Sequence, residues 1–169
     1  MKELPTASSR NKREQLETSS WFAVVRAYLE CSKRYTEMLQ HFELTVAQYD
    51  ALNAIESLGS NAVPKAIADR LVVTRANITG LLRRLEQRKL VQITAHQADG
   101  RSVVCALTRK GKSLHDRAHN AASRFVRAQL QPFEDSDLKY TEQMMRSMHA
   151  HLQTLDPNAL AASDNHRET

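Results

Sequence analysis

Between Thr74 and Thr108 the spacing of apolar residues changes from a helical period to a period of two, and then back. Ile78, Leu81, Leu82 and Leu85 recur at i, i+3, i+4 and i+7, which is one buried face of a helix. After Leu90 the rhythm alternates. Val91, Ile93 and Ala95 interleave with Gln92, Thr94 and His96, and Arg101, Val103, Cys105 and Leu107 interleave with Ser102, Val104 and Ala106. Asp99-Gly100 lies between the two runs, and such a turn dipeptide closes a hairpin. Thr108 is placed to cap a new helix. A chain with this pattern is mainly α with a small β-hairpin. Four glycines and four prolines in 169 residues agree, because loop-rich architectures need more of both.

The flanking segments read as helices. Trp21, Val24, Val25, Tyr28, Leu29, Tyr35, Met38, Leu39 and Phe42 fall at helical spacing in a helix expected from about Ser19. Thr45 and Gln48 make a capping-box pattern before Tyr49, Leu52, Ile55 and Leu58, and Gly59 is expected to end that helix in the left-handed conformation. Pro64 suits the first turn of a short helix running to about Leu71. Val72-Val73 then connects to Thr74, the expected N-cap of the next helix, so the two form a helix-turn-helix. A long helix follows Thr108 to near Pro132. A last one, capped by Asp135 or Ser136, carries Leu138, Met145, Met148, Leu152 and Leu155 close to a seven-residue repeat. That narrow seam and the unusually apolar first helix both suit packing on a second chain. Residues 1–17 read as a flexible polar segment and 157–169 as a disordered tail.

The net charge of +5 and pI near 9.4 favour a polyanionic partner, nucleic acid before membrane surface. Two cysteines, Cys31 and Cys105, lie far apart and in no metal-like spacing, which fits a reducing compartment. The polar N-terminus shows no secretory pattern and no apolar run is long enough to span a bilayer, so the chain is expected in the cytoplasm. Glycine occurs only at 59, 80, 100 and 111, which excludes a dinucleotide or phosphate-cradling glycine loop. Neither His-Glu-x-x-His nor Gly-x-Ser-x-Gly is present. The reading is of a non-enzyme without a cofactor.

The placement of the arginines carries the functional argument. Opposite the buried stripe of the 74–89 helix lie Ala76, Gly80, Arg83 and Gln87, flanked by Thr79 and Arg84, with Arg75 and Asn77 nearer the edges. Ala76 and Gly80 are small enough to let the backbone approach a groove. Thr79, Arg83 and Arg84 can reach base edges or phosphates. A mid-helix glycine costs roughly 1 kcal/mol against alanine, so its presence on the outer face points to close approach. At the hairpin tip, Asp99 can pair with Arg101 and hold the guanidinium ready for a narrow, negative minor groove.

Leu44-Thr45-x-x-Gln48, the run from Ala76 to Glu86 (Ala-Asn-Ile-Thr-Gly-Leu-Leu-Arg-Arg-Leu-Glu), Leu90-Val91, Asp99-x-Arg101 and Leu107-Thr108-x-x-Gly111 together resemble the MarR family. The resemblance covers roughly Trp21 to Leu155. It implies a winged helix-turn-helix, a homodimer built from the first and last helices, and binding to a pseudo-palindromic operator in double-stranded DNA. It also implies a repressor released by a small-molecule effector. On that pattern residues 44–108 form the DNA-binding lobe, and 18–43 with 109–156 the dimerisation region. Thr74, Arg75, Ala76, Asn77, Thr79, Gly80, Arg83 and Arg84 would read the major groove. Arg101, held by Asp99, would enter the minor groove. The chain departs from the pattern in three places: Ser102 follows Arg101, Gly80 stands where some members have arginine, and Arg109-Lys110 fills a turn often holding an acid.

Several residues are candidates for a switch. Trp21, His41 and Asp50 could line an effector pocket, or be an interface tryptophan and two surface polar residues. Cys31 could sense thiol oxidation, but lies later in its helix than in thiol-responsive members, and cysteine is usually a small buried hydrophobe. His115 and His119, at i and i+4, could begin a metal site, but no further ligand falls at a useful spacing, so no metal is expected. A thiol- or metal-responsive regulator of the same fold, or a helix-turn-helix adaptor without specific DNA binding, are the alternatives.

Overall fold

The computed structural model describes residues 7–95 and 103–162. Its elements run α1 (Ala7–Gln40), α2 (Val46–Leu58), a short 3-10 turn at Gly59–Asn61, α3 (Pro64–Leu71), α4 (Arg75–Gln87), β1 (Val91–Ala95), β2 (Val103–Leu107), α5 (Arg109–Leu130), α6 (Asp135–Leu152) and α7 (Pro157–Ala162). The chain is therefore mainly helical with one hairpin. It divides into two compact units, Met1–Phe125 and Val126–Thr169.

The core of the first unit collects one face from each element. Leu39 comes from α1, Leu52 and Ile55 from α2, Ile67 from α3, and Ile78, Leu82 and Leu85 from α4; Leu90, Val91 and Cys105 come from the hairpin. All are essentially inaccessible to water. The local chemistry follows the sequence closely at three caps. Gln48 N–H donates to Thr45 Oγ1 at 3.2 Å while Thr45 N–H donates to Gln48 Oε1 at 3.0 Å, a full capping box. Thr74 Oγ1 accepts from Asn77 N–H at 3.3 Å, and Thr108 Oγ1 accepts from Gly111 N–H at 3.0 Å.

Four boundaries differ from the sequence reading. The first helix begins at Ala7, well before Ser19. Residues 11–17 are polar apart from Leu16 but are mostly good helix formers, and Arg13 Nε and Glu17 Oε1 pair at 2.6 Å one turn apart. Gly59 has positive φ, but its angles of 54° and −123° lie outside the left-handed helical basin, because the chain turns at once into the 3-10 segment. The residue before α6 is Glu134, without a side-chain cap, so Asp135 and Ser136 lie inside the helix, where Asp135 and Asp137 complement the positive end of its dipole. The tail is helical over Pro157–Ala162, started by Asp156 Oδ1 accepting from Asn158 N–H at 2.9 Å with proline in the first turn.

Three helices end in a left-handed residue that is not glycine. Glu43, Val72 and Lys89 take positive φ of 54°, 55° and 59° after α1, α3 and α4. At each, a wider backbone bond closes the end: Leu44 N–H to Leu39 carbonyl, Val73 to Ala68 and Leu90 to Leu85. Val72 is the costliest of the three, since a β-branched side chain is a rare guest there.

β1 and β2 pair antiparallel with Val91 opposite Leu107, Ile93 opposite Cys105 and Ala95 opposite Val103. Burial falls along the hairpin, from Val91 and Cys105 at 2% and 0% exposed to Ala95 and Val103, which are exposed. The root is fixed on both sides. Cys105 N–H donates to the Ala62 carbonyl at 2.8 Å, and Thr108 N–H to the Leu90 carbonyl at 3.0 Å. A Cβ at Gly111 would run into that same Leu90 carbonyl, so α5 sits directly on the α4–β1 corner.

α1, α2 and α5 are joined by a ring stack. Tyr35 meets Tyr49 edge-on at 6.2 Å and Phe125 at 5.5 Å, Tyr49 stacks on His115 at 6.3 Å, and His115 on His119 at 5.5 Å. Burial pushes the Tyr35 hydroxyl well above the usual tyrosine range and raises that of Tyr49. In the second unit α6 buries no residue, and Tyr140, Met144, Met145, Met148 and Leu152 are exposed.

Candidate nucleic-acid interface

α4 turns its two faces in opposite directions. Ile78, Leu81, Leu82 and Leu85 are buried against the core, whereas Ala76, Asn77, Thr79, Gly80, Arg83, Arg84 and Gln87 are exposed. Arg75 is the first residue of the helix and Thr74 its cap. Six of the helix residues expected to meet DNA thus share one open surface with the cap at its end. A Cβ built at Gly80 meets nothing within 4 Å, so the protein's own packing does not require glycine there. Among the described residues no carboxylate forms an ion pair with Arg83 or Arg84, which leaves two cations uncompensated on the outer face. The preceding helix crosses behind: Ile67 and Ala68 of α3 are buried, and the Val72–Val73 turn is exposed, with Val72 at 91%. Asp99 and Arg101 lie outside the described residues; the strands that lead to them are β1 and β2.

The three effector candidates are not brought together. Trp21 is exposed on α1 and packs edge-on against Phe22 at 4.9 Å. His41, just past the end of α1, borders a cavity of about 400 Å³. Asp50 on α2 lines a different cavity of about 270 Å³, together with Asn77, Leu81 and Arg84 of α4. Burial raises the Asp50 carboxyl above its ordinary value.

His115 and His119 do lie on one helical face, but both ring nitrogens of His115 and Nδ1 of His119 are engaged within the protein. His115 is 4% exposed, with Nε2 3.3 Å from Asn53 Oδ1 and Nδ1 3.2 Å from Asp116 Oδ1; His119 Nδ1 is 3.2 Å from the Tyr49 hydroxyl. Among the described residues no three His, Cys, Asp or Glu side chains converge on a metal position. Cys105 is buried and its thiol is pushed up to about 11, chiefly by burial, which opposes thiolate chemistry. Cys31 is half-buried, and neither cysteine is in a disulfide. Among the described residues no helix is long and apolar enough to cross a membrane.

One feature escaped sequence reasoning. Arg88, directly after α4, donates from Nη1 to the Glu43 carbonyl at 2.8 Å and to Gln48 Oε1 at 3.3 Å, tying the end of α4 to the α1–α2 loop. Its only sequence signal is a position just past the last buried leucine of the helix, which many surface arginines share.

Comparison with known proteins places this geometry. The profile of the MarR family matches residues 42–102. The chain is 30% identical over 139 residues to the HTH-type transcriptional regulator SarZ of Staphylococcus saprophyticus, an alignment spanning 82% of this chain and 94% of that protein. The crystal structure of AbsC, a MarR family transcriptional regulator from Streptomyces coelicolor, superposes with a TM-score of 0.73 at 16% identity, over 90% of this chain and 99% of that one. CouR from Rhodococcus jostii RHA1, solved bound to p-coumaroyl-CoA, superposes with a TM-score of 0.68 at 21% identity, over 79% of this chain and 93% of that one. At those identities the two structures speak for the fold.

Proposed function

The chain belongs to the MarR family of transcriptional regulators, and from that premise we propose that it acts as a dimeric, sequence-specific repressor that a small molecule releases from DNA. The observation that carries the DNA-binding reading is the outer face of α4, where small Ala76 and Gly80 sit beside exposed Asn77, Thr79, Arg83 and Arg84. A backbone that can approach closely, with hydrogen-bonding and cationic groups around it, is what a major groove accepts. In this reading Thr74, Arg75, Ala76, Asn77, Thr79, Gly80, Arg83 and Arg84 face the duplex. Arg101, steadied by Asp99, enters the adjacent minor groove.

Exposed apolar side chains support dimerisation. Trp21, Phe22, Tyr28 and Leu29 on α1, and the methionine row on α6, are larger than a monomer needs to leave in water. Two copies of α4 would then read half-sites about one helical turn apart. Release by a small molecule is supported by the ligand seen in CouR.

The test is binding to duplexes selected from random sequence and to the upstream region of the protein's own gene, with salt varied. Affinity is expected to fall steeply with salt as arginines release counterions. Arg101→Ala should cost about 1–3 kcal/mol. Equal, weak binding to selected and random duplexes would instead favour an adaptor, and unchanged binding by Arg101→Ala would remove the minor-groove role.

A further inference from the structure

We propose that the polar ladder joining α2 to α5 is a proton-sensitive latch, closed while the stacked rings of His115 and His119 carry one positive charge at most and opened when both are charged. The latch concerns the protein alone, and only its effect on DNA rests on the reading above.

The ladder has three rungs. The Tyr49 hydroxyl lies 3.2 Å from His119 Nδ1, Asn53 Oδ1 3.3 Å from His115 Nε2, and Glu56 Oε1 3.0 Å from Lys112 Nζ. Each step up α2 is matched by an equal step down α5, so one stripe of each helix faces the other in antiparallel register. Two of the rungs end in imidazole, the side chain whose charge ordinarily changes between about pH 5 and 8.

A first proton suits this arrangement. His115 is buried, and its ring nitrogens face two acceptors, Asn53 Oδ1 and, at 3.2 Å, Asp116 Oδ1. As an imidazolium it donates to both. Glu56 of α2 and Lys112 and Asp116 of α5 form one cluster, with Lys112 Nζ 2.7 Å from Asp116 Oδ1, and together they sum to one negative charge. The other titratable groups on this side are Tyr49, stacked on His115, and Tyr35 of α1, edge-on to Tyr49, with Cys31 behind it. Asp50, next to Tyr49, lines the cavity toward α4.

A second proton does not suit it. The two imidazoles are 5.5 Å apart and tilted by only 23°, so a charged His119 would lie face to face with a charged His115. Among the described residues no carboxylate pairs with His119. In the neutral ring Nδ1 accepts from the Tyr49 hydroxyl; in the charged ring it becomes a donor. Tyr49 is also hydrogen-bonded to Tyr35, so both hydroxyls would have to turn. Parting α2 from α5 lets His119 charge in water instead. The open form therefore binds one more proton than the closed form, and the latch weakens as pH falls.

The experiment is amide hydrogen exchange of the full-length protein at about pH 8 and about pH 5.5, either side of the histidine range, corrected for the intrinsic pH dependence of exchange. Peptides from α2 and the start of α5 are expected to lose protection at least about tenfold in acid relative to those of α3. His119→Gln, an exposed change that keeps a partner for Tyr49 but cannot charge, should remove most of that loss. His115→Gln deletes the other charge and should do the same. Imidazole NMR spectra of the wild type should show the two rings charging in separate steps. Retained protection in acid, an equal loss in both variants, or rings that charge independently in one step would each overturn the proposal. Operator affinity at the same two pH values keeps the readings apart. It is expected to fall about tenfold in acid, against the gain that added positive charge alone would bring. Lost protection with unchanged operator affinity upholds the latch and removes its control of DNA binding. Absence of any preferred duplex at either pH counts against the DNA reading and leaves the exchange result to decide the latch.

Discussion

Replacing Gly80 with alanine is expected to move stability and DNA affinity in opposite directions. Gly80 lies mid-helix in α4 and a Cβ there meets nothing within 4 Å. The folded protein therefore loses no packing, and the helix gains the ordinary advantage of alanine, roughly 0.5–1 kcal/mol. For a chain of this length that corresponds to a rise of about 1–4 °C in Tm, at roughly 2–4 °C per kcal/mol. In the complex the same methyl would stand between backbone and groove. Overfilling a close-packed contact costs about 1–3 kcal/mol, and the proposed dimer would carry the change twice. Affinity for the operator should then fall at least about tenfold, since about 1.4 kcal/mol is one decade. Scanning calorimetry and fluorescence anisotropy on one protein preparation read both quantities. A variant with raised Tm and unchanged operator affinity would show that the backbone at Gly80 does not approach DNA. A lowered Tm would show that this side of α4 is not open in the free protein.

Gly111→Ala should be damaging, by about 3 kcal/mol, because its Cβ meets the backbone of buried Leu90 and neither strand root nor helix can yield alone; an unfolding midpoint within a degree of wild type would refute it. Val72→Asn should stabilise by about 1 kcal/mol, since asparagine tolerates the left-handed conformation and the valine side chain is 91% exposed; denaturant titration reads it, and a loss of stability would mean Val72 packs on something. Asp50→Asn tests a pH effect. Burial raises the Asp50 pKa on folding, so the favourable protonated form is fully present below the unfolded value, near about 4, and is lost as pH rises through the folded one. The variant should be the more stable at neutral pH, with the difference vanishing in acid; a gap independent of pH would refute the assignment.

The parts of the fold legible in the sequence were those written in short-range patterns. The Thr45–Gln48 capping box, the Thr74 cap and the buried stripe of α4 each depend on residues a few positions apart, and each appears as read; the alternation of the strands holds at the hairpin root, at Val91, Ile93 and Cys105, and is lost at Ala95 and Val103, which are exposed. The ends of α1, α3 and α4 were not legible, because backbone bonds close them and the residues in the left-handed position are Glu43, Val72 and Lys89, not glycine. The exposed residues of α4 could be named from periodicity alone. The cavity beside His41 could not, since its Arg88, Lys110 and Arg117 come from elements separated by the whole hairpin. Trp21 and His41 illustrate the converse. Twenty residues along a helix is about 30 Å, too far for one small pocket.

The root of the hairpin has a mechanical consequence. β1 leaves the α4 corner and β2 returns into Thr108, which is bonded to Leu90, while Gly111 brings α5 onto the same peptide. Toward Ala95 and Val103 the strands lose their support from the core. This is a cantilever clamped at one end. A tilt of about 5° at the clamp moves the ends of five-residue strands by roughly 1.5 Å, given their length of about 17 Å. A displacement of α5 too small to break any bond at the root is thus enlarged along the hairpin to half the length of a hydrogen bond, enough, in the proposed DNA-bound state, to shift what the strands present without unfolding anything.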